Sequence, residues 1–170
     1  LYFVRFAFAI VWALLVFLTT KSSLGAIGVI LAVLYPLFDV GSAVVDARSS
    51  KGSGSVRGLY VNIAISLLAT VGLAVGSASG IPAVLRVWGA WAIVSGLVQL
   101  IVGIVRRKMG GQWPMMLSGG ISVLAGGNFI LGASAPNASL SNVAGYAVLG
   151  GVFFLVSAIR LGRAAKAEEH

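Results

Sequence analysis

Two aspartates, Asp39 and Asp46, are the carboxylates of this 170-residue chain that precede its acidic end at Glu168 and Glu169. Both fall in an apolar run, 24–46. An ionisable side chain in such a run costs about 2.5–3.5 kcal/mol on insertion scales and marks a functional candidate. They stand seven residues apart, on one helical face with about 10.5 Å of rise between them. Carboxylates acting as general acid and base must face one substrate, so the spacing argues against hydrolysis. Asp46, beside Arg48 at the end of the run, reads as a solvated interfacial charge. Asp39 lies deeper and needs a partner. If the first two runs fold back near residue 22, positions summing to about 44 lie level, which sets Arg5 beside Asp39. The expected arrangement is an Arg5–Asp39 ion pair in an intramembrane polar site with Ser42 and Asn62. A proton- or cation-linked site at Asp39 is the competing reading.

The elements that position these residues follow from spacing. Gly25, Gly28, Ala32, Tyr35, Asp39, Ser42 and Asp46 recur at three and four, a packed seam of small and polar residues that leaves valine, isoleucine and leucine for lipid. Pro36 removes a backbone hydrogen bond and frees the Ala32 carbonyl one turn from Asp39. Gly89, Gly96, Gln99 and Gly103 form a second close-packing surface, with Gln99 expected to bond across to a neighbour. Asn62, Ser66 and Thr70 match Ser118, Ser122 and Gly126 as polar stripes, read as interhelical glue against a hydrophilic passage. Arg86, Arg106 and Arg107 are candidate lipid-headgroup contacts, although snorkelling alone explains Arg86. Trp113, Tyr60 and Tyr2 at one interface and Trp88 and Tyr146 at the other read as aromatic belts.

Composition fixes the solvent. The chain is 59% hydrophobic and 9% charged, too poor in charge to cover a water-facing surface, so its surplus apolar area faces lipid. A bilayer core needs about 20 apolar residues per helix, and six runs qualify: 2–20, 24–46, 58–79, 83–105, 113–133 and 143–162. Residues 47–57, Gly80–Pro82, Lys108–Gln112 and Ala135–Asn137 carry loop chemistry. Residues 163–170 read as a cytoplasmic tail, and no removed signal peptide is expected.

The net charge of +8 is segregated rather than patterned for nucleic acid, which is not expected as a partner. Arg5, Arg48, Lys51, Arg57, Arg106, Arg107, Lys108, Arg160, Arg163 and Lys166 collect on one side; Lys21 and Arg86 remain on the other. By the positive-inside rule both termini are cytoplasmic, and the partners are the bilayer and its anionic lipids. Cysteine is absent and the one histidine is His170, so neither metal nor cofactor is expected.

The chain also matches itself at a period near 56. Ile65-Ser66-Leu67-Leu68-Ala69 precedes Ile121-Ser122-Val123-Leu124-Ala125, and Trp91–Gly96 matches Phe153–Ala158 with six residues added. The whole reads as one all-α domain, 1–170, of three helical hairpins at about 2–46, 58–105 and 113–162 in pseudo-threefold packing. These hairpins, with returning helices ending in Val-Ser-Gly or Phe-Asp, then aliphatics and arginines, resemble the HdeD-type short-repeat membrane proteins of bacteria. The resemblance implies a non-enzymatic, multi-pass inner-membrane protein in acid or envelope stress, and is compatible with a homo-oligomer. It carries over no catalytic residue. A small transporter using Asp39 and a lipid-binding protein are the alternatives.

Overall fold

The computed structural model describes residues 1–20, 23–49, 56–109 and 112–168. Among them are six long helices and no strand: α1 (Tyr2–Thr19), α2 (Ala26–Ser49), α3 (Val56–Gly76), α4 (Ile81–Val105), α5 (Trp113–Gly132) and α6 (Ser141–Glu168). All six are long and apolar enough to cross a membrane, as the backbone must when no water is present to satisfy its polar groups. The protein is thus built as a multi-pass membrane protein. Lys21, Lys51, most of the expected 47–57 loop, Gly110, Gly111, Glu169 and His170 lie outside the described residues.

Helix ends sit where local chemistry puts them. Gly80 adopts φ +86°, a left-handed conformation that a side chain disfavours. Pro82 then falls in the first turn of α4 and Pro114 in that of α5, where a missing N–H costs nothing. Two ends differ from expectation. Helix α2 runs on through Ser49 and α3 starts at Val56, so both borders of the polar loop are helical. Helix α6 continues through the expected tail to Glu168, since alanine, lysine and arginine favour helix as well in water as in lipid.

The helices close a ring in chain order, with α6 returning to α1. Helices α2 and α3, α4 and α5, and α6 and α1 pack most closely. Contact between α1 and α2, α3 and α4, and α5 and α6 is looser. The α4–α5 seam is the tightest. A Cβ on Gly89 would lie 2.6 Å from the Gly126 carbonyl oxygen, and one on Gly96 2.6 Å from that of Gly119. One helix steps up by seven as the other steps down by seven, so two glycine pairs let the antiparallel backbones touch. Helix α2 keeps its seam from Gly28 onward: Gly28, Ala32 and Ser42 are buried, while Ile27, Ile30, Leu34, Leu37 and Val45 face outward; Gly25, expected to open the seam, precedes the helix and is exposed.

Every helix contributes to one core: Trp12, Leu31, Leu73, Val84, Trp88, Phe129 and Val143. These side chains fill the half of the ring that holds the Gly80 turn. Trp88 is 1% exposed, with ring centroids 5.3 Å from Trp12, 5.3 Å from Tyr35 and 5.0 Å from Trp91. Trp88 therefore forms no aromatic belt, and Tyr146 turns inward to a 2.8 Å hydrogen bond with Ser122. A six-membered ring of helices leaves a wide centre, and large rings with satisfied polar tips are what fill it. Tyr60 and Trp113 remain exposed, as belts require.

Candidate functional site

The polar cluster lies toward the other end of the ring, where α1 begins and α2 ends. The Arg5 guanidinium, 11% exposed, sits between two carboxylates: Nη1 is 3.6 Å from Asp39 Oδ1, and Nη2 donates at 3.2 Å to Asp46 Oδ2. Its face rests over the Phe154 ring of α6, 5.3 Å from the centroid, a cation–π contact strengthened by desolvation. The fold-back of α1 on α2 that predicts Arg5–Asp39 also sets Trp12 Nε1 donating to the Leu31 carbonyl at 2.7 Å.

Asp39 is further held from α3. Asn62 Nδ2 and Ser66 Oγ each donate to Asp39 Oδ2 at 2.8 Å, and Trp91 Nε1 of α4 donates to Ser66 Oγ at 3.3 Å. Hydrogen bonds to an ionised acceptor are about twice as strong as neutral ones, so this carboxylate ties four helices together. Of the predicted site residues, Arg5, Asp39 and Asn62 meet. Ser42 is buried on α2, but Asp39 takes its hydrogen bonds from α3 instead.

Asp46 corrects the reading of a solvated charge beside Arg48. Arg48 is exposed, and Asp46 shares Arg5 with Asp39. The 10.5 Å of rise does not keep the carboxylates apart, because a long guanidinium reaches both from the facing helix. Ser66 is interhelical glue as expected, and its particular partner, Asp39, is the part the stripe did not name. Folding α2 back on α3 near residue 52 would have set Ser66 level with Asp39, by the same reasoning that found Arg5.

The arginines read as headgroup contacts lie at both ends of the ring. Arg86 is exposed beside the buried core, at the opposite end from Arg106 and Arg107. Arg107 Nη1 donates to the Ile104 carbonyl at 3.1 Å, closing the end of α4. Arg106 lines a cleft with Arg57 and Asp46. Gln99, expected to bond across to a neighbour, has its Oε1 buried without a partner among the described residues. No cluster of three or more histidine, cysteine or acidic side chains that could hold a metal occurs among the described residues. No family model, curated protein or solved structure matches this chain.

Proposed function

We propose that the chain is a non-enzymatic protein of the HdeD type in the bacterial inner membrane, contributing to acid or envelope stress tolerance. One observation carries this reading: the intramembrane carboxylate most suited to chemistry, Asp39, is committed to Arg5, Asn62 and Ser66. A group so held locks helices together and has little freedom to move a proton through a cycle. The aromatic core beyond it also supports a structural role, since Trp12, Tyr35, Trp88 and Trp91 fill the ring where a passage would run. The alternation of tight and loose helix pairs around the ring supports three hairpin repeats. The ten-to-two division of lysine and arginine supports cytoplasmic termini. Deleting the gene is expected to lower survival in acid, with rescue by the wild-type chain; unchanged survival under both acid and envelope stress removes the reading.

A proton- or cation-linked transporter has one observation in its favour. Two carboxylates share one guanidinium, leaving an excess negative charge that a proton or small cation would neutralise. Flux into liposomes that falls on Asp39→Asn would support it. Equal flux in both proteins, or none in either, counts against it.

A further inference from the structure

Between α3 and α4 the basic end of the ring opens into a cleft of about 680 Å³, within the range of small-molecule sites. Arg57 in the first turn of α3 and Arg106 at the end of α4 both line it. Neither guanidinium has a carboxylate partner among the described residues, where both ion pairs belong to Arg5. The first turn of α3 contains no acidic residue, so Arg57 places a cation at the positive end of a helix. That arrangement is unfavourable until an anion joins it.

The interior of the cleft has a second character. Ile65, Val98 and Val102 give it aliphatic walls, and Ile101 and Val105 on its border are exposed to the lipid side. Cations at the rim and, deeper, an aliphatic wall open to lipid occur in that order. The anionic headgroup and acyl chain of a phospholipid follow one another in the same order.

We propose that this cleft binds one anionic phospholipid. The phosphate sits at the Arg57 and Arg106 rim, with the glycerol backbone just below it. One acyl chain lies along Ile65, Val98 and Val102. The site stands independently of the stress role; it borders the Arg5 cluster at Asp46 and Asn62, whose polar groups Arg5 and Asp39 already engage.

The test uses the full chain, delipidated in detergent and titrated with phosphatidylglycerol, phosphatidylcholine or inorganic phosphate, with binding read by native mass spectrometry. Phosphatidylglycerol is expected to bind at one site and more tightly than phosphatidylcholine. Arg57→Gln and Arg106→Gln should each weaken it about fivefold, and together about thirtyfold, the scale of one basic residue at an anionic membrane surface. Arg107→Gln, outside the cleft, should change it less than twofold. Val98→Trp, which fills the cleft and keeps both arginines, should also weaken binding; helical circular dichroism verifies that each variant is folded. Equal affinity for phosphatidylcholine, an equal loss on Arg107→Gln, or displacement by inorganic phosphate alone would each overturn the proposal. So would a dimer whose second copy closes the cleft.

Discussion

Arg5 is harder to replace than either aspartate it holds. The cluster has one cation and two carboxylates, so removing Arg5 raises the net charge to two negatives, whereas removing one aspartate brings it to zero. Breaking a buried pair from one side costs about 3–5 kcal/mol, and the partial exposure of these groups places Arg5→Gln near the lower figure. Asp39→Asn should cost less, about 1–2 kcal/mol, because it weakens charge-assisted bonds from Asn62 and Ser66 while Arg5 keeps Asp46. Asp46→Asn should cost least. Unfolding in mixed micelles would check this order, and an Asp46 variant less stable than the Arg5 variant would contradict it. The pairing of Arg5 with Asp39 was legible in the sequence because two antiparallel helices fix which positions lie level. The role of Asp46 was not, because rise along a helix says nothing of how far a guanidinium reaches from the helix opposite.

At the scale of the helix, the α4–α5 seam makes the sharpest demand on residue type. Gly96 and Gly119 each face the other's carbonyl oxygen at 2.6 Å from where a Cβ would stand, while Gly120 and Gly127 have nothing within 4 Å of theirs. Gly96→Ala and Gly119→Ala must push the two backbones apart, an overpacking cost of about 1–3 kcal/mol. Gly120→Ala and Gly127→Ala should leave stability unchanged or raise it slightly, since alanine orders a helix at less entropic cost. Thermal unfolding of the four variants separates these outcomes; four equal losses would mean that the seam is not the source. The spacing of Gly89, Gly96 and Gly103 made a close-packed face legible. Which helix covers it was not, because small residues every seven positions accept any neighbour with a matching stripe. Trp88 and Tyr146 were misplaced for a related reason: position along a helix gives depth in the membrane, but only the closure of the ring decides which rings of carbon turn inward.

The whole molecule has two unlike ends. At one, all six helices meet in a buried aliphatic and aromatic core; at the other, the Arg5 cluster and the α3–α4 cleft bring Tyr2, Asp46, Arg57, Arg106 and Met115 to a common opening. Six spans were legible in the sequence because apolar length alone defines a crossing. The asymmetry between the ends was not, since it depends on which side chains fill the ring. It bears directly on orientation. Lysine and arginine resist translocation, so the open, basic end should face the cytoplasm and the end with the buried core the outside. The chain has no cysteine, so single cysteines can be placed without background. Lys108→Cys and Arg163→Cys should escape a membrane-impermeant maleimide in intact cells and react once the membrane is broken. Ser139→Cys, in the turn before α6, should react in intact cells. The reverse pattern would put Arg57 and Arg106 of the cleft outside the cell, and labelling of all three sites in intact cells would mean that the chain inserts both ways.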